Sequence, residues 1–288
     1  NLTKKKFIQN LNEQINYHDS PILTITYYAQ WRLMKEISDK GFKVSISGTG
    51  ADEIFSGYYD HHNAYLHFMK NNYNKKYKDS LKNWKEKIGK YIRNPFLKDP
   101  DFFFQKENKK HIYLNRDFFV DLLNDSFNEG FKENVYSKIL LRNRMANEMF
   151  HESVPVILHE DDLNSMYYSV ENRSPFLDSK LYDFSLTIPT QFLVKEGLAK
   201  TILRDAVKNI APEKIIKNPR KVGFNAPLNN FIDFEKKEIK SFLLEDSDIY
   251  RLVNKDKVSK VFSNNLTNSF SKFLFNFINA KLFIENFQ

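Results

Sequence analysis

The chain has no cysteine and few of the other residues that would mark a secreted or membrane protein. With no cysteine among its 288 residues, it can form neither disulfide bonds nor thiolate metal sites, as is usual for a cytoplasmic protein. No apolar run approaches the roughly 20 residues that span a bilayer, and the N-terminus carries no signal-peptide pattern. We therefore predict a soluble, cytoplasmic protein with no membrane partner.

The charge balance is positive, but its distribution does not indicate nucleic-acid binding. Lysine and arginine number 44 against 36 acids, which gives a formal net charge of +8. Such a charge suits nucleic acid, anionic nucleotides or plain solubility. The lysines are scattered among asparagines and acids, as in residues 71–90, which predict a solvated helix face with Trp84 and Ile88 turned inward. No nucleic-acid-binding module is present. We predict no nucleic-acid partner.

The most informative segment covers residues 44–58, Val-Ser-Ile-Ser-Gly-Thr-Gly-Ala-Asp-Glu-Ile-Phe-Ser-Gly-Tyr. Val44 and Ile46 predict a buried strand, after which Gly48 and Gly50 let the backbone turn sharply and approach a ligand. Asp52, with the glutamate that follows it, can hold a hard cation or cap the next helix. The pattern alone fits an anion and metal site as well as an ordinary tight turn.

Three further blocks follow in order along the chain. They read Glu-Asp-Asp-Leu-Asn-Ser-Met-Tyr-Tyr-Ser-Val-Glu-Asn-Arg-Ser-Pro-Phe-Leu-Asp at 160–178, Gly-Leu-Ala-Lys-Thr-Ile-Leu-Arg at 197–204, and Pro-Arg-Lys-Val-Gly-Phe-Asn-Ala-Pro at 219–227. Together with the first segment, this set resembles the synthetase domain of the asparagine synthetase family, which includes β-lactam and carbapenam synthetases. The family shows Ser-Gly-x-Gly-x-Asp-Glu, Asp-x-x-x-Met, Glu-x-Arg-x-Pro-Phe-Leu-Asp, Lys-x-x-Leu-Arg and a Lys-x-Gly-Phe-like turn.

The resemblance implies an ATP-dependent, AMP-forming ligase with Mg²⁺. A substrate carboxylate attacks the α-phosphate of ATP to give an acyl-adenylate, and ammonia from glutamine then displaces AMP. By the same resemblance, Ser47, Gly48 and Gly50 contact the nucleotide, and Asp52 helps to hold magnesium on the pyrophosphate. Lys200 matches a phosphate-binding lysine, which would otherwise be interpreted as a surface lysine at a helix start.

Two further residues are assigned roles by the resemblance. Lys221 matches the catalytic lysine that stabilises the charged intermediate, although the sequence around it also fits a solvated basic run. Asp162, four residues before Met166, matches the acid that orients or activates the nucleophile. Its neighbours Glu160 and Asp161 compete for that assignment, because acids also gather near helix N-termini for electrostatic reasons.

Thr49 departs from the family pattern at a catalytic position. Between the two glycines, asparagine synthetases place an acid and the lactam-forming enzymes place a tyrosine. A threonine hydroxyl cannot act as a carboxylate base at neutral pH. This leaves open an acceptor other than aspartate within the same chemistry, and a sugar acid of a surface polysaccharide is the alternative we consider.

The resemblance also shows what is missing from this chain. The family's pyrophosphate loop, Ser-Gly-Gly-x-Asp-Ser, and the glutaminase domain with its N-terminal cysteine do not occur here. We therefore interpret residues 1–288 as the C-terminal part of the synthetase domain, with the other two segments as partners in the same protein. A homodimer stays open, as does a third possibility, a non-catalytic helical interaction module derived from the family.

The predicted fold class is α/β, the mostly helical C-terminal part of a parallel-sheet domain of the pyrophosphate-loop ATPase type. Residues 1–92 form the strand-turn-helix nucleotide region and 93–288 the mainly helical region with the catalytic loop. Only residues 42–47 predict a strand, and a lone strand needs partners. Helices are predicted over 3–16, 27–40, 58–72, 78–92, 131–152, 155–170 and from about 229 to the end, with an irregular stretch at 94–115.

Overall fold

The computed structural model describes residues 6–105, 110–112, 116–125, 132–223, 227–263 and 268–287. Within these ranges the chain is mostly helical. The helices are α1 (Phe7–His18), α2 (Ile25–Asp39), α3 (Ala51–Phe55), α4 (Tyr59–Asn72), α5 (Asn74–Lys87), α6 (Arg116–Asp121), α7 (Leu140–Phe150), α8 (Ser153–Met166), α9 (Ser179–Thr187), α10 (Thr201–Ala206), α11 (Glu213–Ile216), α12 (Lys237–Leu244), α13 (Lys255–Ser263) and α14 (Asn268–Asn286).

The sheet consists, in the described part of the chain, of two short parallel strands. β1 (Val44–Ile46) pairs with β2 (Glu171–Arg173), and Ser45 lies opposite Asn172. The glycine turn at 47–50 directly follows β1, and the Pro-Phe-Leu-Asp segment of the block at 160–178 directly follows β2. Parallel strands have their carboxyl ends at the same edge, so the sheet brings these two blocks together.

Two expectations about the strands are wrong. β2 was not predicted, since Glu-Asn-Arg contains no β-branched or aromatic residue. Val44 and Ile46 were expected to be buried, but they are 43% and 73% exposed. The reason is that the face of this sheet that carries Val44 and Ile46 is not covered by the described residues.

The core divides into two clusters of apolar side chains, and each joins distant parts of the sequence. One is built mainly from α1, α2 and residues 228–282, with Trp31 fully buried at its centre. The other spans residues 54–199 and contains Trp84 and Ile88, both predicted to face inward. The clusters do not follow the predicted division at 92/93, which stays a prediction.

Most of the predicted helices are confirmed with shifted ends. α1 ends at His18, two residues after its predicted end, and α2 is followed by Gly41 at a φ of +82°, a conformation that costs glycine little. The helix predicted over 131–152 is too long, since 132–139 are not helical and 131 lies outside the described residues. Within the described ranges, no helix combines the length and apolar character needed to cross a membrane.

Candidate functional site

The turn after β1 presents open backbone at one position and tight packing at another. Ser47 continues the strand pairing, its N–H donating to the Arg173 carbonyl at 2.8 Å. A Cβ atom on Gly48 would meet no atom within 4 Å, whereas one on Gly50 would collide with Leu177. Gly50 also has a φ of +92°, which glycine adopts most easily. Gly48 therefore leaves room for a ligand, and Gly50 holds the turn against the second block.

Asp52 lies between the two lysines that the sequence had singled out. Lys200 Nζ is 2.7 Å from Asp52 Oδ1, and Lys221 Nζ donates to Asp52 Oδ2. Burial acts to raise the pKa of Asp52, but the two ammonium groups outweigh it, so the pKa lies below its ordinary value. The carboxylate is thus ionised, and the trio carries a net charge of +1.

The predicted alternative, in which Asp52 caps the helix, is wrong. The N-cap of α3 is Gly50, and it makes no side-chain cap hydrogen bond. Glu53, the other acid of the motif, is buried and accepts a hydrogen bond from the Tyr58 hydroxyl. Asp52 alone of these two acids is therefore placed to meet charged groups near the surface.

Lys200 reaches Asp52 from a strained position. Its backbone is left-handed, with a φ of 57°, where it forms the N-cap of α10. The turn before it is closed by paired hydrogen bonds between Lys195 and Leu198, at 3.0 and 2.8 Å. Arg204 then donates to the Ala199 carbonyl at 2.7 Å. Such an unfavourable backbone is kept only where surrounding contacts hold it, often at functional sites.

Lys221 is held by two tyrosines that follow the glycine turn. Its backbone N–H donates to the Tyr59 hydroxyl at 3.3 Å, and its Nζ lies 4.7 Å from the centre of the Tyr58 ring. A cation over an aromatic face is attracted by the ring's quadrupole. These contacts connect residues 58–59 to the loop at 217–223.

Behind Asp52, Gly57 connects the site to a buried charged cluster. The Gly57 N–H donates to His61 Nδ1 at 3.1 Å, and His61 Nε2 lies 2.6 Å from Glu148 Oε2. Because Nδ1 accepts a hydrogen bond, Nε2 must carry the proton and donate to Glu148. His61 thereby orients the backbone at Gly57, on which the Asp52 carboxylate packs.

Asp60, His61 and Glu148 are close enough together to suggest a metal site, but an arginine already supplies the cation. Arg144 donates to Glu148 at 3.0 Å, and its Nε is 3.9 Å from Asp60. The guanidinium also pairs with two further acids, Glu133 and Glu152. We interpret the cluster as an internal ion network.

A second polar group of side chains surrounds Thr49. Ser47 Oγ lies 3.1 Å from Thr49 Oγ1 and 3.0 Å from Ser174 Oγ. Asp161 is buried on the neighbouring helix α8. Burial raises its pKa, and hydrogen bonds from Gln30 and Thr49 partly offset the rise. Three hydroxyl groups and one buried carboxyl therefore meet where the two strands end.

The structure separates the three consecutive acids of α8. Asp162, the predicted site residue, is exposed, and in the described part of the chain its side chain forms no ion pair. Asp161 faces α2, where it accepts a hydrogen bond from Gln30, and Asn172 Nδ2 donates to it at 3.2 Å. The role predicted for Asp162 stays a prediction, and Asp161 is the acid that the structure brings to Thr49.

Glu160 belongs to a different, fully internal group. Its Oε2 lies 3.5 Å from His18 Nδ1, and the other ring nitrogen, His18 Nε2, lies 3.2 Å from Asn164 Oδ1. Burial lowers the pKa of His18 to about 4 and raises the pKa of Glu160 to about 7. The burial disfavours the charged form of both groups, and we assign the pair a structural role.

Several side chains at the site were missed by the sequence reasoning. Gly57 and Tyr58 lie inside the segment 44–58 and Tyr59 directly follows it, but none had an assigned role, and their closeness to Asp52 in sequence was the available signal. Gln30 gave no signal, since it lies in an ordinary amphipathic helix. Ser174 sits in the Glu-x-Arg-x-Pro block, where only the proximity of the strand ends connects it to Thr49.

Comparison with known proteins tests the family resemblance. The chain is 25% identical over 280 residues to asparagine synthetase [glutamine-hydrolyzing] 1 of Bacillus subtilis, which covers 89% of the chain and 42% of that relative. It is 26% identical over 215 residues to asparagine synthetase [glutamine-hydrolyzing] 3 of the same organism, covering 75% of the chain and 31% of the relative. The chain thus spans less than half the length of these relatives. The family model described as asparagine synthase matches residues 1–282, and the chain belongs to the asparagine synthase family.

Proposed function

We propose that this chain is the C-terminal part of the synthetase domain of an ATP-dependent amide ligase, which activates a carboxylate as an acyl-adenylate and transfers ammonia to it. The observation that carries the proposal is the meeting of Asp52, Lys200 and Lys221 beside the open backbone of Gly48. The three charged residues come from three separate sequence blocks. Ordinary surface lysines would have no reason to converge on one partly buried carboxylate.

The charges of this trio suit the phosphates of ATP. Two ammonium groups and one carboxylate leave one positive charge in excess, and anions bind where backbone donors and cations converge. In our proposal the lysines bind phosphate oxygens, and the Asp52 carboxylate, freed from them, holds Mg²⁺. A carboxylate together with phosphate oxygens is a usual ligand set for this ion. Bound ATP supplies the adenylyl group that activates the acceptor.

Lys221 carries the role that depends most on the chemistry. Its side chain is 28% exposed, and among the described residues its ammonium group contacts the Asp52 carboxylate and the Tyr58 ring. In this position it can stabilise the negative charge that develops as the adenylate forms and breaks. A preorganised cation lowers a reaction barrier in this way. Lys200, on its strained N-cap, holds phosphate oxygens throughout.

The hydroxyl groups around Thr49 form the proposed binding place of the acceptor. Ser47, Thr49 and Ser174 offer hydroxyl donors and acceptors but no charge, which suits a hydroxylated carboxylate such as a sugar acid better than aspartate with its ammonium group. Asp161 is the proposed acceptor of the proton that ammonia loses on attack. A carboxyl whose pKa is raised by burial takes up a proton more readily than an exposed one.

The exposed sheet supports the proposal that more of this domain lies elsewhere in the protein. Ile46 and Val44 lie uncovered on β1, and a two-stranded sheet is marginal without further strands. We propose that the segment before residue 1 supplies the pyrophosphate loop and these strands, as part of a pyrophosphate-loop ATPase fold. Residues 1–288 alone are then expected to bind Mg²⁺-ATP weakly in isothermal titration, and micromolar affinity would contradict this.

The test is pyrophosphate exchange by the full-length protein with a series of carboxylates. Lys221→Ala should reduce the exchange rate by about 100- to 1000-fold, the usual loss for one charge-stabilising group. Lys221→Arg should restore little, because its planar fork does not replace a compact ammonium. Lys217→Ala, an exposed lysine of the same basic run, is the matched control and should keep the full rate.

The same assay tests the acceptor. Uronic acids should support exchange better than aspartate if the uncharged group around Thr49 binds the acceptor. Efficient exchange with aspartate alone would show that Thr49 carries no such information. An unchanged rate in Lys221→Ala would overturn the assignment of this lysine.

A further inference from the structure

A cavity of about 500 Å³ opens beside Lys221, on residues 90–97 and 220–223. We call it the basic cavity, because four cationic side chains line it, Lys90, Arg93, Arg220 and Lys221. No aspartate or glutamate lines it within the ranges that the structure describes. A concave surface with charges of one sign concentrates ligands of the opposite sign.

The cations of the basic cavity are gathered rather than neutralised. Lys90 Nζ lies 5.3 Å and Arg220 Cζ 5.4 Å from the centre of the same Tyr91 ring. Over the described ranges, Lys90, Arg93 and Arg220 form no ion pair with a carboxylate, and Lys221 uses the one it shares with Asp52. Like charges held together without a counter-charge repel one another, and an anionic ligand would relieve that repulsion.

An ordinary solvated surface is the alternative, since the chain is basic throughout. Many exposed lysines elsewhere, however, have acids beside them, including Lys35 with Asp39, Lys255 with Asp246 and Lys257 with Asp121. The basic cavity differs in both shape and composition, because its four cations share one concave space without an acid.

We propose that the basic cavity binds a phosphate group on the acceptor, the same molecule whose carboxylate is activated. Lys221 lines the cavity and also contacts Asp52, so one extended molecule can reach both places. Arginine forks bind phosphate oxygens in pairs. A phosphate monoester, with about two negative charges at neutral pH, matches four gathered cations better than a carboxylate with a single charge. The inference relies on the proposed function only in naming the acceptor as the bearer of that phosphate.

The test compares two ligands that differ by one phosphate, D-glucuronate and D-glucuronate 1-phosphate, in isothermal titration with the full-length protein. The phosphorylated ligand should bind about tenfold more tightly, and the advantage should shrink as salt screens the charges. Arg93→Gln and Arg220→Gln should each remove most of the advantage. The control is Lys85→Gln, at an exposed lysine of α5 outside the cavity. It removes the same charge and should retain the advantage of the phosphorylated ligand.

A further arm identifies the source of the phosphate. The titrations are repeated with a saturating, non-hydrolysable ATP analogue and Mg²⁺. Persistence of the phosphate advantage supports the proposal, while its loss would assign the cavity to the nucleotide and overturn it. Equal affinity for the two sugars, or an equal loss in Lys85→Gln, would also overturn it. These are binding measurements, so they test the phosphate site even if no carboxylate supports exchange and the proposed function fails.

Discussion

Gly57 packs so closely on the Asp52 carboxylate that an alanine side chain does not fit there. A Cβ atom on Gly57 would overlap Asp52 Oδ1 and lie 2.5 Å from Asp52 Cγ and 2.6 Å from Lys200 Cε. The lysine stem can move, but the carboxylate is only 14% exposed and pairs with two ammonium groups. We expect Gly57→Ala to displace the carboxylate and weaken both ion pairs.

The magnitude follows from the burial of this group. An exposed ion pair is worth at most about 1 kcal/mol, and breaking a buried one costs about 3 to 5 kcal/mol. Asp52 is mostly buried while its two lysines are 25% and 28% exposed. The free energy of unfolding should therefore fall by about 2 to 4 kcal/mol, which lowers Tm by about 4 to 8 °C for a chain of this size.

The assay is a double-mutant cycle, with urea unfolding followed by circular dichroism. Gly57→Ala is measured alone and together with Asp52→Ala, which removes the carboxylate that the new methyl group meets. The cost of Gly57→Ala should fall by about 2 kcal/mol in the second background, a coupling typical of residues in contact. Gly89→Ala is the control, because its Cβ would lie 3.5 Å from Trp84, an ordinary van der Waals distance. A Gly57→Ala cost that equals that of the control, or is the same with and without Asp52, would refute the packing argument.

Two other predictions concern stability. The pKa of Glu160 is raised from 4.5 to about 7 and that of His18 lowered from 6.5 to about 4, so their contributions to the free energy of unfolding change oppositely with pH between about 4.5 and 6.5. In His18→Gln the free energy of unfolding should fall as pH rises, and in Glu160→Gln it should rise, by up to about 3 kcal/mol each. Urea unfolding across this pH range measures both slopes, and equal slopes would contradict the burial argument. Asn63, fully buried, donates to the carbonyls of Leu97 at 3.1 Å and Asp99 at 2.7 Å, so Asn63→Ala should cost about 2 kcal/mol and expose this segment to protease. Asn83→Ala, which loses only a bond within its own helix, should cost less than about 1 kcal/mol, and equal costs would contradict the anchoring role.

Local sequence was sufficient for the features that depend on neighbouring residues. The turn at 47–50 was predictable because two glycines follow a β-branched strand, and the α2 end because Gly41 adopts a positive φ. Apolar periodicity placed Trp84 and Ile88 in the core. The sequence blocks also determined family membership, which the match over residues 1–282 confirms.

Other features depended on packing between distant segments, which no local pattern encodes. Asp161 and Asp162 are adjacent on α8, and about 100° of helical rotation separates them. Only the packing of α8 on α2 decides that Asp161 faces Gln30 and Thr49 while Asp162 faces outward. β2 was invisible because its three polar residues pair with β1 across more than a hundred residues of chain.

The charged trio shows the same division most clearly. The sequence identified Asp52, Lys200 and Lys221 through their blocks, but it could not show that two ammonium groups contact one carboxylate. That contact requires the strained N-cap at Lys200, the tyrosines beside Lys221 and the absence of a side chain at Gly57. Tertiary structure alone sets these conditions, because each depends on atoms that lie far apart in the chain and close together in space.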